Sequence, residues 1–188
     1  MRDGTETRER IERTALKLFV EQGYAETSIR DIAKAARVAQ GTLYVHYPSK
    51  EQLAWALFSK SFSEIGAELD RLARGEATLH AKLRAMIGYV LGMFDRDRTL
   101  VSYVFLTRHT HLGRVTRRVG NPYLAFRRVI ADAIRRGEVP RKDPEVASAL
   151  VTGAIIQVID VGIIGHIKGP LAERTDQVAD ACLALLAA

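Results

Sequence analysis

Residues 37 to 53 read RVAQGTLYVHYPSKEQL and gather Gln40, Gly41, Thr42, Tyr44, Val45, His46 and Lys50 within a few helical turns. Amide, hydroxyl, phenol, imidazole and ammonium groups in one short segment suit the holding of an anionic polymer: some can meet phosphates and others base edges. Bond-breaking chemistry would need a nucleophile beside its base. The chain has no G-x-S-x-G, no Walker loop, no dinucleotide glycine pattern and no Cys next to a His, so an enzyme is not expected. His46 lacks a Cys, Asp or second His at ligand spacing, and His109 and His111, two apart on a helix, point about 200 degrees away from each other. No metal and no cofactor are expected.

The elements that must position these residues are helices, because the apolar residues recur at helical spacing and no convincing strand alternation appears. Ile11, Ala15, Leu18 and Phe19 form one buried stripe of a first helix from about Thr5 to Gln22, with Gly23 placed for a left-handed cap. Ser28 can cap a second, short helix in which Ile29, Ile32, Ala33 and Ala36 share a face, with Asp31 as the acid of a weak capping box. From Gln40 a third short helix has only Leu43 and Tyr47, four apart, to bury, so its other faces look outward. Gly41 and Val45 then form the outer crown, flanked by Gln40, Thr42, Tyr44 and His46. Gly41 admits close backbone approach, Val45 can meet a thymine methyl, Gln40 can read a base edge, and Thr42, Tyr44 and His46 can hold phosphates. Pro48 ends the helix, and Ser49 with Gln52 opens a long fourth one, whose first turn places Lys50 beside N–H groups that favour phosphate. Two short helices joined by a tight turn and braced by a third make a helix-turn-helix.

The run TSIRDIAKAARVAQGTLYVHYPSKEQL closely resembles the DNA-binding signature of the TetR/AcrR family of transcriptional regulators, over about the first fifty-five residues. The resemblance implies an all-α protein with two parts. Residues 1–50 would be a three-helix, helix-turn-helix DNA-binding head, and residues 51–188 a helical ligand-binding and dimerisation domain. It also implies that Ser28, Arg30, Gln40, Thr42, Tyr44, His46 and Lys50 meet DNA; for Arg30 the resemblance is the whole argument. Repression of a palindromic operator by a homodimer, released by a small molecule, is the family's usual mode. An effector-independent DNA-binding adaptor or an activator with the same head is the alternative. Three positions depart from the family pattern. Arg37 stands where Gly is usual, so the turn either avoids positive φ or carries strain. Ala39 replaces a Ser cap, a loss of about 1 kcal/mol. Tyr47 replaces the more usual Phe and brings a hydroxyl that needs a partner.

Composition sets wider bounds. The charged N-terminus and the single Cys182 suit the cytosol. The apolar run from Val146 to Ile167 contains Gln157 and Asp160, and a carboxylate at mid-bilayer costs roughly 3 kcal/mol, so this run reads as a buried helix and no membrane is expected. The net charge is +6, yet Met1 to Lys50 carries nine basic against seven acidic residues, while Arg96 to Lys142 carries twelve against three. The positive surplus therefore lies outside the expected head.

Further helices are expected near 50–74, 77–94, 98–112, 121–137, 144–168 and 172–187. The helix from Pro144 is apolar on nearly every side, and its Leu150, Gly153, Ala154, Gln157, Val161 and Gly165 offer a surface for a partner subunit. The last helix adds Val178, Ala181, Cys182 and Leu185, which would complete a four-helix interface. Between seam and head lie Met86, Tyr89, Met93, Tyr103, Tyr123 and Phe126, with Val90, Phe94 and Phe105. This set is either plain core or the wall of an adaptable pocket. Arg108, Arg127 or Arg128 could pair there with an acidic group on an apolar effector. Asp160 could pair across a dimer, anchor a ligand or face water.

Overall fold

The computed structural model describes residues 2–115 and 121–188. Among these residues the chain forms nine α-helices and no strand: α1 (Arg2–Glu21), α2 (Ile29–Ala35), α3 (Gln40–His46), α4 (Lys50–Gly75), α5 (Leu79–Arg96), α6 (Arg98–His111), α7 (Pro122–Arg136), α8 (Pro144–Ile163) and α9 (Thr175–Ala187). The all-α expectation holds, and most boundaries fall within two or three residues of those read from periodicity.

Local chemistry accounts for the ends. Ser28 caps α2 with a full capping box, its hydroxyl accepting from Asp31 N–H while Asp31 accepts from Ser28 N–H at 3.0 Å. Ser49, Thr78, Asp97, Asn121 and Asp143 accept N–H bonds at the starts of α4 to α8. Gly23 adopts φ +90° after α1, as its position suggested. The helix expected to reach residue 168 stops at Ile163, because Gly165 takes φ +78° and closes a Schellman cap. In that cap Gly165 N–H donates to Gly162 and His166 N–H to Val161. Gly165 is thus the terminator of α8 and not part of its surface stripe. Arg37 closes the same kind of cap after α2, with Arg37 N–H donating to Lys34 and Val38 N–H to Ala33, and does so at φ +54°. The strained alternative for that turn is the one realised.

Two apolar clusters organise the chain. The first joins α1, α2 and α3 through Ile11, Phe19, Ile32 and Leu43, and takes in Leu53, Phe58 and Phe62 of α4 and Tyr103 of α6. The head's core therefore runs past residue 50. The second cluster surrounds α5, whose Leu83, Met86, Ile87 and Leu91 have no exposed surface and touch the helices around them. Truncating one of these to Ala would cost about 2–5 kcal/mol. Asp95 at the end of α5 accepts the N–H groups of Leu171 and Ala172, and so anchors the 3-10 turn Leu171–Arg174 that leads into α9.

Candidate nucleic-acid interface and interior cavity

α3 is seven residues long and buries only one of them fully, Leu43; Tyr47 follows at 4% exposure as its C-cap. With those two inward, the rest of the helix faces solvent: Val45 is 83% exposed and Tyr44 46% exposed, Gln40 and Gly41 are exposed, and Thr42 and His46 are half-buried. A Cβ placed on Gly41 would meet nothing within 4 Å, so the crown is open on that side. Ala39 supplies no side-chain cap, as its identity dictates. On α2, Ser28 and Arg30 are exposed. The Ser28 hydroxyl is already engaged, since it donates to Asp31 at 2.5 Å. Lys50 holds an equally committed position, with its ammonium donating to the carbonyls of Tyr24 (2.8 Å), Ala25 (3.3 Å) and Thr27 (2.9 Å) above the Tyr24 ring. It fastens the α1–α2 connection to the first turn of α4.

The Tyr47 hydroxyl finds its partner in Glu12, donating to Oε1 at 2.5 Å, while Arg8 Nε donates to the phenol oxygen at 3.0 Å and to Glu12 at 2.9 Å. Lys60 of α4 reaches the other carboxylate oxygen at 3.3 Å. Burial raises the Glu12 carboxyl, but the bonds from Tyr47, Arg8 and Lys60 outweigh it and leave the group below the usual carboxylate range. Burial and the same carboxylate push the Tyr47 phenol up to about 12. Periodicity gave no hint of this network, because it assigns apolar stripes and not the partners of charged side chains such as Glu12 and Arg8.

Behind the head, α4, α5, α6, α7 and α8 enclose an apolar cavity of about 330 Å³. Of the residues expected to line it, Met93, Arg108, Tyr123 and Phe126 do so, as do Val90 and Phe105. The other four are placed elsewhere. Met86 is fully buried in the α5 core. Tyr89 packs against that core outside the cavity lining. Tyr103 belongs to the head cluster, stacked on Phe19 with its hydroxyl donating to Ala54 at 2.7 Å. Arg127 is turned outward to Glu145. Phe62 and Ile65 of α4, Leu112 after α6, and Ile155 and Ile156 of α8 complete the apolar wall. Their spacing matched ordinary core, so nothing in the sequence set them apart.

The polar groups of the cavity already have protein partners. Arg108 donates to the Phe105 carbonyl at 2.5 Å and to Asp160 at 3.2 Å. Asp160 is therefore paired within its own chain, and Arg108 is not the free cation expected for an acidic ligand. Thr152 donates to Ser148 at 2.7 Å, the Asn121 side-chain oxygen caps α7, and the Tyr123 hydroxyl donates to Glu145 at 2.7 Å. At the foot of the cavity Leu112 is followed two residues later by Arg114, which pairs with Glu51 in the first turn of α4 at 2.9 Å and lies over Trp55. His111 is buried against Trp55 and Phe58, and its Nδ1 has no partner among the described residues. Burial and the nearby Arg114 hold the imidazole below its ordinary pKa.

Residues 11–57 match the model of the bacterial regulatory proteins of the tetR family. The N-terminal helices, α1 to the start of α4, are thus similar to those of that family. The HTH-type transcriptional regulator AcrR of Shigella flexneri is 36% identical over 107 residues, an overlap of 55% of this chain and 50% of AcrR. The chain spans about half the length of the curated relatives it matches at such identity. Two solved structures resemble it over nearly their whole lengths. The fatty acid degradation regulator FadR of Bacillus halodurans superposes with a TM-score of 0.81 at 18% identity, covering 94% of each chain. FadR of Bacillus subtilis, in complex with stearoyl-CoA, gives 0.77 at 19%, covering 94% of this chain and 97% of its own. These likenesses show the fold: an N-terminal helix-turn-helix followed by a helical domain.

In this chain α8 passes, by length and composition, for a membrane span. Its Val151, Ile155 and Ile159 pack in the core and its Asp160 is ion-paired, so it is built as a core helix. The opposite face is open: Val146 is 57% and Leu150 52% exposed, with Gly153 and Gln157 following at helical spacing and Ala154 and Val161 half-buried beside them. On α9, Ala181 and Leu185 are exposed. Val178 and Cys182 are not available to a partner, because both are buried within the chain itself; the Cys182 thiol faces the Val151 carbonyl, and burial pushes it up to about 11. Gly162 is likewise internal, since a Cβ there would come within 2.9 Å of Leu171.

Proposed function

We propose that this regulator is a repressor that binds a palindromic operator as a homodimer in the cytoplasm and releases it when a small, largely apolar effector enters the cavity. The outward face of α3 supports the DNA reading most directly, because a seven-residue helix that buries only Leu43 leaves Gln40, Gly41 and Val45 standing clear of the protein surface. In a major groove Gln40 and Val45 are the base readers, while Thr42, Tyr44 and His46, with Ser28 and Arg30 at the start of α2, face phosphates. Lys50 acts mainly as the brace of the α1–α2 connection and adds its charge to that edge. Two-fold pairing through Leu150, Gly153, Gln157, Ala181 and Leu185 presents two such heads to two half-sites. The cavity, apolar inside, supports an effector with an apolar body. The stearoyl-CoA held by the FadR protein of Bacillus subtilis is consistent with a ligand of that character.

Selection of bound DNA from a random pool should yield a two-fold symmetric site. On that site Gln40→Ala should cost about 1–3 kcal/mol at one base position, whereas Thr42→Ala should weaken operator and random DNA alike. Equal loss on both DNAs for Gln40→Ala would refute the reading role. Failure of apolar compounds to release the operator would favour an effector-independent adaptor.

A further inference from the structure

Resting on the reading of the head as a DNA-binding element, we propose that Arg37 is a DNA-phosphate contact, a cation held at the corner between α2 and α3 at a cost in fold stability. Arg37 is the single non-glycine residue with positive φ among the described residues, at +54°; Gly23, Gly137, Gly165 and Gly169 hold the other positive values. Its backbone acts as a cap, with its N–H donating to the Lys34 carbonyl and Val38 N–H to Ala33. Glycine would close the same cap with no Cβ in the way. What arginine adds is a guanidinium, and the fold makes no use of it: the side chain is exposed and enters no hydrogen bond, ion pair or ring contact among the described residues. The arginines of α1 differ in this respect, since Arg8 binds Glu12 and Tyr47, Arg10 the Ala36 carbonyl and Arg13 the Asp97 carboxylate. Backbone strain under a side chain with no internal partner points to a partner outside the protein.

The position of the corner makes that partner a phosphate. Gln40, the base reader, follows three residues later, and three residues span at most about 11 Å. A major groove is roughly 12 Å wide, so a cation this close to a side chain on the groove floor stands beside one of the phosphate rows that border it. The corner is also firm. Val38 packs half-buried against the head's core, and the two cap bonds fix the backbone on either side of the guanidinium. Asp31, the acid of the same helix, is engaged by the Ser28 N–H and hydroxyl. Lys50, the cation expected to hold phosphate from the first turn of α4, binds three carbonyls instead. Free positive charge beside the reading helix is therefore left to the α2 side, where Arg30, Lys34 and Arg37 are all exposed. A planar guanidinium also matches a phosphate through two parallel N–H bonds, which an ammonium cannot do.

The test is fluorescence anisotropy of the full-length protein on labelled DNA over a series of salt concentrations, with a melting curve for every variant. Two DNAs serve: the site selected from a random pool and a random-sequence duplex. Arg37→Gly should raise the melting temperature by about 2–4 °C and yet weaken binding to both DNAs, with a salt slope shallower by about 0.9 for each head engaged. A gain in stability joined to a loss in binding is a signature that a merely structural residue does not give. Arg37→Ala should lose the same slope without the gain in stability, because its Cβ keeps the strain, and Arg37→Lys should retain the slope. Arg141→Ala, in the exposed α7–α8 connection, removes the same charge from the body and should leave the slope unchanged. An unchanged slope in Arg37→Gly, a slope lost in Arg37→Lys, or an equal loss in Arg141→Ala overturns the phosphate contact. So does a loss confined to the selected site, which would make Arg37 a base reader, and so does a lower melting temperature in Arg37→Gly, which would make it a structural residue. In all these cases the DNA-binding reading of the head stands. Binding of neither DNA by the wild type overturns that reading, and the role of Arg37 with it.

Discussion

Tyr47→Phe removes one oxygen from the protein and should cost about 2 kcal/mol. The phenol donates to Glu12 at 2.5 Å, and a hydrogen bond to a buried charged group contributes about 1.5–3 kcal/mol. What remains on Glu12 cannot make up the loss. The Arg8 and Lys60 side chains are each 55% exposed, and ion pairs of that kind contribute roughly 0–1 kcal/mol. For a chain of this size about 2 kcal/mol corresponds to roughly 4–8 °C in melting temperature, which scanning calorimetry resolves easily. Linkage adds a signature. The folded Glu12 pKa is depressed, so its stabilisation is complete above the unfolded value near about 4.3 and disappears as pH falls through the folded value. The gap between wild type and Tyr47→Phe should therefore be widest near neutrality and narrow below about pH 4. A double-mutant cycle with Glu12→Gln should return a coupling of about 1–2 kcal/mol. A Tyr47→Phe protein within about 0.5 kcal/mol of wild type at pH 7, or one whose deficit does not change with acid, would show that the short contact carries no net energy.

Arg37 occupies the left-handed position of a Schellman cap at φ +54°, so Arg37→Gly should raise stability by about 1 kcal/mol in urea denaturation; a loss would mean that its side chain contributes more than the strain removes. Ala39→Ser restores the missing cap of α3 and should add about 1 kcal/mol in the same assay, with no gain if the hydroxyl fails to reach the N–H two or three residues on. Leu150→Arg should yield a folded monomer by light scattering with weakened operator binding, whereas Gly162→Leu should lower the melting temperature of the subunit itself by collision with Leu171. His111 is held neutral by burial and by Arg114, with Glu51 and the rings of Trp55 and Phe58 completing its surroundings. Its stabilisation is present above the unfolded value of about 6.5 and is lost as pH falls toward the depressed folded value, so His111→Leu should flatten the decline in stability below about pH 6.5.

The head was legible because its residues obey local rules. Leu43 and Tyr47 at four-residue spacing fix which way α3 faces, and Ser28 and Ser49 mark the helix starts, so the exposed crown at Val45 followed from sequence alone. The cavity was only half legible. Met93 and Phe126 border it while Met86 and Tyr103 do not, and all four are apolar residues on core-facing stripes. What separates them is whether the opposing helix fills the space, and this depends on helix crossing and not on periodicity. Charged residues were read least well. Lys50 was expected to reach solvent phosphate and instead binds three carbonyls across twenty-odd residues, while Asp160 found Arg108 on a different helix. Long-range pairs of this kind have no spacing rule.

α4 is the element on which the proposed coupling has to act. Its first turn carries Lys50, which holds the α1–α2 connection, and Glu51, which Arg114 grips; one turn on, Trp55 lies under Arg114, and farther along Phe62 and Ile65 wall the cavity. Lys60, between these groups, touches the Glu12 that holds Tyr47 at the end of the reading helix. One rigid rod thus contacts the cavity, the head's internal brace and the α3 anchor. A ligand shifts an equilibrium only by its difference in affinity for the two states, so an effector must favour a placement of α4, or of the Leu112–Arg114 turn beside it, that the proposed DNA-bound state does not adopt. If the effector does so, operator DNA must weaken effector binding by the same factor. Arg114→Ala separates this route from the others, because it frees Glu51 and Trp55 without touching the apolar wall. The variant should bind effector as the wild type does and show a smaller mutual weakening of effector and operator. Unchanged coupling in Arg114→Ala would place the transmission in the packed side of α4, through Phe58 and Phe62, instead of in its first turn.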